Sequence, residues 1–142
     1  MLDQDGGIDR AAVAGIVFDD LEELSWLETL LHPRVVAVQR RWRDTLTRRA
    51  DPPDVCVVEI PLLYETGGEE RFDAVVVVTA SPEVRAARAN RPDLTRREQR
   101  LIPDEEKVLR ADFAYVNDGT IEELDAFVAG VMRKLLDGRR AG

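Results

Sequence analysis

The chain has 142 residues and a mass of 16.0 kDa, room for one domain and little more. A composition 44% hydrophobic and 34% charged is that of a soluble globular protein and excludes a disordered chain or a fibre. Acids outnumber bases 28 to 20, a net charge of −8 that argues against a nucleic-acid partner held through its phosphates.

The first residues, Met1-Leu2-Asp3-Gln4-Asp5, are acidic and hold no apolar run, so they do not read as a signal peptide. Asp9 is placed to cap a short helix through Phe18. A second helix carries Leu21, Leu24, Leu27, Leu30 and Leu31 at three-and-four spacing and is expected to end at His32-Pro33. A third is expected over about residues 33–49, with Val35, Val38, Trp42 and Leu46 on one face. Asp51-Pro52-Pro53-Asp54 then breaks the chain. Residues 55–60, Val-Cys-Val-Val-Glu-Ile, read as a strand buried on both faces, and residues 74–79 read the same way. The second run is the longest apolar stretch and falls far short of the ~20 residues that cross a bilayer. Ser81 opens a helix over residues 82–91, and the capping box Thr95-Arg96-Arg97-Glu98 opens a further segment. A helix over residues 104–111 and a short strand at residues 113–116 follow, closed by Asn117-Asp118-Gly119. A second capping box, Thr120-Ile121-Glu122-Glu123, opens the last helix, with Leu124, Phe127, Val131 and Leu135 facing one way and Gly138 as its stop. Buried strands alternating with helices predict an α/β fold with a parallel sheet.

The single cysteine, Cys56, has no disulfide partner, and with one histidine, His32, no Cys/His zinc set exists; no metal centre is expected. A reducing, cytoplasmic setting fits. Six arginines at 85, 88, 91, 96, 97 and 100 face only Asp93 and Glu98 over residues 85–100. A solvated helix face and an anion site both account for such a run. Ligands of parallel sheets bind beyond the carboxyl ends of the strands, which directs attention to residues 59–65, 79–81 and 117–119. Each has a plain alternative as a strand end, a helix start or a turn. Glu59 is the costliest of these residues, an acid at the end of an apolar strand. Its functional alternative is the metal-holding position of phosphate-transfer enzymes.

Taken in order, the segments resemble one family, dephospho-CoA kinase, which phosphorylates the ribose 3′-hydroxyl of dephospho-CoA with ATP. The matching stretches are residues 8–18, Leu30-Leu31-His32-Pro33-Arg34-Val35, Glu59-Ile60-Pro61-Leu62-Leu63-Tyr64-Glu65, 75–78, 88–91 and 111–119. The His-Pro step followed by Pro-Leu-Leu-aromatic-Glu is the most specific pair. The resemblance implies an α/β fold of P-loop kinase type, a doubly wound parallel sheet with helices on both faces and its central first strand missing. Residues 1–142 then form a single partial domain, with a helical acceptor-substrate region at about 9–50 and a lid at about 88–110. It implies that His32 and Pro33 wall the dephospho-CoA pocket, where the plain reading of His32 is a helix-end histidine beside proline. Pro61, Leu62 and Leu63 become acceptor contacts, and Glu65 orients their loop. Glu59 becomes a catalytic contact to magnesium-bound water. Arg88, Arg91 and Arg97 close on the phosphates of ATP, and Asn117 and Gly119 lie beside the adenine. The implied partners are dephospho-CoA and ATP with Mg2+, with no tightly bound cofactor, no nucleic acid and no membrane.

The chain departs from the family in two places. The phosphate loop Gly-x-x-x-x-Gly-Lys-Ser/Thr occurs nowhere in the 142 residues, and neither Lys107 nor Lys134 follows a glycine. The family's catalytic Asp also falls upstream of the matched region. The expectation is an N-terminally truncated enzyme, Met1 being an internal or miscalled start, inactive by itself. Residues 95–107 are also about one helical turn shorter than the family's lid, with Leu101 near a position where the family often has Gln. Two other readings stay open. Another P-loop nucleotide kinase leaves the His-Pro and Pro-Leu-Leu pair unexplained; a non-catalytic nucleotide- or CoA-binding module is favoured by the missing phosphate loop.

Overall fold

In the computed structural model, residues 2, 4–89 and 101–140 are described, and the chain divides into two compact units, Met1–Cys56 and Val57–Gly142. Asparagine-like capping by aspartate starts both helices of the first unit. The Asp9 carboxylate accepts from the amides of Ala11 and Ala12, each at 3.0 Å, and opens α1 (Arg10–Val17). Asp20 accepts from Glu22 and Glu23 at 2.9 and 3.3 Å and opens α2 (Leu21–Thr47). Glu22 and Glu23 in the first turn of α2 also suit the positive end of the helix dipole. Ahead of α1, Leu2 and Ile8 form an antiparallel bridge, and Gly6 supplies the positive φ (78°) between them.

α2 corrects one expectation. His32-Pro33 does not end a helix, because a single helix runs through Pro33. Proline removes the amide that would bond the Thr29 carbonyl, a loss of ~3 kcal/mol or more in a helix interior. Helix-favouring Leu, Glu and Arg on both sides carry the chain across, and Arg34 Nη1 donates to the Leu30 carbonyl in the disturbed turn. One helix has one register, and this moves the apolar face. Val35, Val38 and Trp42 are exposed, and the half-buried stripe runs instead through Leu24, Glu28, His32, Val36, Gln39 and Leu46.

The second unit holds the sheet. β1 (Val76–Thr79) and β2 (Phe113–Val116) pair in parallel, with Val76 opposite Phe113 and Thr79 opposite Val116. α3 (Pro82–Ala89) and α4 (Asp104–Arg110) lie in the connection between them, and α5 (Ile121–Arg140) follows β2. A parallel pair cannot be closed by a tight turn and needs such a crossover. This is an α/β unit. The expected burial of the strands on both faces is not found: burial alternates along each, and Val78 and Val116 are exposed. α5 covers one side of β2, with Phe127 stacked on Tyr115 at 4.8 Å between ring centroids and Lys134 Nζ 5.7 Å from the Phe113 ring. Val131, on the same α5 stripe as Leu124, Phe127 and Leu135, is buried. The Thr120 capping box forms reciprocally: the Thr120 amide donates to Glu123 Oε2 at 2.8 Å, and the Glu123 amide to Thr120 Oγ1 at 3.2 Å. The helix does not stop at Gly138 but runs to Arg140.

Residues 55–60 form no strand. Val57 is 80% exposed and Cys56 is exposed, so the doubly buried strand expected there is overturned. An apolar run becomes a strand only where a neighbour offers a ladder of donors and acceptors, and the described sheet contains β1 and β2 alone. Arg91, Arg97 and the capping box at residues 95–98 lie outside the described residues.

Asp112 closes the amino end of the ladder. Its carboxylate accepts from the Val75 amide at 2.7 Å, while the Val75 carbonyl accepts from Asp112 and Phe113. Asp112→Ala is expected to destabilise the fold by about 1 kcal/mol, read as a lower midpoint of thermal unfolding by circular dichroism. Asp44→Ala, removing only the exposed 4.0 Å pair with Arg43, should stay within about 0.5 kcal/mol of the parent.

Candidate functional site

Two groups of the expected residues come together in the second unit. The first is at the carboxyl ends of the strands. The Asn117 amide donates to the Thr79 carbonyl at 2.8 Å, continuing the ladder one residue past β2. Asp118 Oδ1 then accepts from the Ser81 amide at 2.8 Å, tying the start of α3 to the turn after β2. From the penultimate residue of α3, Arg88 Nη1 donates to the Asn117 carbonyl at 2.9 Å. Arg88, Asn117 and Gly119 are therefore neighbours, at the end of a parallel sheet where ligands bind. A Cβ at Gly119 would meet Glu123 Oε2, which would have to swing away from the Thr120 amide that it caps.

The second group is a tight turn after residues 57–60, of which Val57 and Glu59 are exposed and Val58 and Ile60 half-buried. The amides of Thr66, Gly67 and Gly68 donate to the carbonyls of Leu62, Tyr64 and Leu63, respectively. The last two bonds form a Schellman closure, which needs a left-handed residue, and Gly67 has φ +61°. This turn holds Leu62, Leu63 and Glu65 half-buried and buries Tyr64, while Pro61 is exposed.

α4 seals the turn through two basic residues one helical turn apart. Lys107 Nζ lies 2.7 Å from Glu65 Oε1, and the same oxygen accepts from the Ile102 amide at 3.2 Å. Arg110 pairs with Glu69 and with Glu106 and sits over the Tyr64 ring, 4.4 Å from its centroid. Burial pushes the Glu65 carboxyl up, but the bond and charge of Lys107, with the Glu65 and Ile102 amides, outweigh it and leave the group below the ordinary range. The Glu69 carboxyl is also lowered, by its own amide and by Arg110. Burial raises the Tyr64 phenol.

The remaining expected residues are not brought to these groups. Glu59 is exposed, and no described residue forms an ion pair with it. His32 is half-buried on the interior stripe of α2, and Pro33 is exposed beside it, both in the first unit. Lys107, Arg110 and Asp118 are contributors the sequence reading did not single out. A signal for two of them was present: basic residues three apart on a helix answer acids four apart, Glu65 and Glu69.

The lowered Glu65 carboxyl sets a pH window. The unfolded group titrates near ~4.3, so the pair contributes its full stability above that value and loses it as pH falls through the lower folded value. Glu65→Gln is expected to lower the unfolding midpoint at pH 7, and the gap from the parent should close as the pH is brought below about 4. A gap that widens in acid would contradict the assignment.

The family model for dephospho-CoA kinase matches residues 1–123. The dephospho-CoA kinase of Thermus thermophilus is 35% identical over 96% of this chain and 68% of its own length. That of Rhodopseudomonas palustris strain HaA2 is 40% identical over 94% of this chain and 67% of its own length. That of Deinococcus radiodurans is 36% identical over 92% and 65%. The matched stretch takes in the turn at residues 61–67, α4 and the carboxyl ends of both strands, and the chain belongs to the dephospho-CoA kinase family.

Proposed function

We propose that this chain carries the acceptor-binding and nucleotide-closing parts of an enzyme that transfers the γ-phosphoryl group of ATP to the ribose 3′-hydroxyl of dephospho-CoA, yielding coenzyme A and ADP. The observation that carries the reading is the Arg88–Asn117–Gly119 cluster at the carboxyl ends of a parallel ladder, in a chain of this family. Phosphoryl transfer depends on positioning and charge neutralisation, and the residues divide accordingly. Arg88, with Arg91 and Arg97, meets the phosphates of ATP. Asn117 and Gly119 pass beside the adenine, where glycine leaves room for a flat ring. Pro61, Leu62 and Leu63, held by the closed turn, are acceptor contacts, and the family pattern gives His32 and Pro33 an acceptor role as well. The full sheet is of the doubly wound P-loop kinase type, which the parallel β1–β2 pair and its helical crossover support.

Magnesium enters with the nucleotide as part of the substrate. Glu59 offers one solvent-facing carboxylate, and no group of three or more His, Cys, Asp or Glu able to hold a metal occurs among the described residues. That suits a contact to metal-bound water, since Mg2+ keeps much of its hydration shell in nucleotide sites. Bound magnesium neutralises charge on the transferring phosphates. No described helix is long and apolar enough to cross a membrane, and we place the reaction in the cytoplasm.

These 142 residues contain no phosphate loop, so as an isolated polypeptide they are expected to bind dephospho-CoA without turning over ATP. Calorimetric titration should show binding, and His32→Ala should weaken it about tenfold, the ~1.4 kcal/mol of one modest polar contact. Identical affinities would remove His32 from the acceptor site. In a polypeptide that also supplies a phosphate loop, turnover should appear and Glu59→Gln should lower kcat by at least about tenfold. Family-like rates from the 142 residues alone would overturn the division of labour.

A further inference from the structure

The Glu65–Lys107 pair stands apart from the other ion pairs of the described residues. Its two side chains are 15% and 14% exposed, whereas the others are a quarter to more than half exposed. Its geometry links two segments distant in sequence: Glu65 lies within the turn that presents Pro61, Leu62 and Leu63, and Lys107 lies at the centre of α4. The Ile102 amide on the same oxygen adds the strand of chain leading into α4. Arg110 repeats the arrangement one helical turn on, through Glu69 and the face of Tyr64. The turn's own bonds run only between residues 62 and 68 and fix its shape, not its place on the rest of the unit. Two rungs from α4 tie it to that unit, beside the packing of buried Tyr64. Glu65 Oε2 is buried and accepts from no group among the described residues, and Oε1 carries the attachment seen here.

We propose that Lys107 is a positioning residue for the acceptor: through Glu65 it holds the turn at residues 61–67 on α4, so that Pro61, Leu62 and Leu63 are presented in one fixed arrangement. This rests on the reading of those three residues as acceptor contacts. Lys107 touches no substrate in it and acts only through the carboxylate. A pre-ordered turn binds without first losing its conformational freedom, and loosening it weakens binding without removing any contact group.

The test uses the whole chain and the variants Lys107→Met, Lys107→Arg, Glu65→Gln and Lys107→Met/Glu65→Gln. Each is checked for folding by circular dichroism at the titration temperature. Dephospho-CoA titration should show each of Lys107→Met and Glu65→Gln weakened about tenfold. The double variant should be no weaker than either single, because both changes break one link. Lys107→Arg, which keeps the cation, should come within about threefold of the parent. Independent structural damage would add in the double variant and would not be rescued by arginine. Hydrogen–deuterium exchange gives a second, ligand-free reading: the amides of Thr66 and Gly68 should exchange faster in Lys107→Met and recover in Lys107→Arg. Unchanged exchange, or additive losses of affinity, overturns the positioning role. A parent chain that binds no dephospho-CoA overturns the acceptor reading instead, and the exchange result still decides whether Lys107 holds the turn.

Discussion

A lysine ammonium 2.7 Å from a carboxylate, with both side chains largely out of water, is the contact on which the second unit depends. Desolvating two charges costs several kcal/mol each, and their attraction repays that only when hydrogen bonds complete the geometry. Here the Ile102 amide completes one oxygen of Glu65, and no donor among the described residues reaches the other. The balance is therefore modest in net stability and steep in the cost of losing one partner, because the survivor stays buried and unpaired. A residue pair of this kind holds position more than it adds stability. It links the turn at residues 61–67 to α4, two segments that no backbone ladder joins.

The sheet is held by a related device at lower stakes. A two-stranded parallel ladder has few bonds of its own and unsatisfied groups at both ends. Asp112 accepts the Val75 amide at one end, and Asp118 accepts the Ser81 amide at the other. Each side chain crosses from one strand's flank to the other's, so the ends cannot fray independently. The second crossing also fixes where α3 begins and, through it, where Arg88 lies. Sheet closure and placement of Arg88 are one set of bonds.

What was legible in the sequence follows the range of the interactions. Asp9, the Thr120–Glu123 box and the stripe Leu124–Phe127–Val131–Leu135 act within a helical turn or along one helix, and each is found as read. The short strands at residues 76–79 and 113–116 were legible because each is apolar and each meets the other. Residues 55–60 have the same apolar character and form no strand, since apolarity shows a wish for burial and not the presence of a neighbour to pair with. Pro33 was misread because its cost of ~3 kcal/mol is a local quantity. A 27-residue helix with favourable flanks offsets it, and the whole face of α2 then rotates relative to a helix starting afresh. The motif Pro-Leu-Leu-Tyr-Glu was visible, but its anchor Lys107 lies more than 40 residues away along the chain, beyond any local pattern.

The arginine run shows how residues alike in charge can differ in their partners. Its two described members do so. Arg85 Nη1 lies 3.3 Å from the Asp104 carboxylate, an opposite charge that cancels much of its field. Arg88 donates instead to the Asn117 carbonyl, a neutral acceptor. A carbonyl orients a guanidinium without neutralising it, and one bond occupies only one of its five donors. Among the described residues no acid pairs with Arg88, and its bond to Asn117 holds it at the end of the sheet. That combination is what an anion site requires, and of these two arginines only Arg88 has it. Asp104, paired with Arg85, joins α3 to α4, while the proposed nucleotide site would draw on Arg88, which pairs with no acid among the described residues.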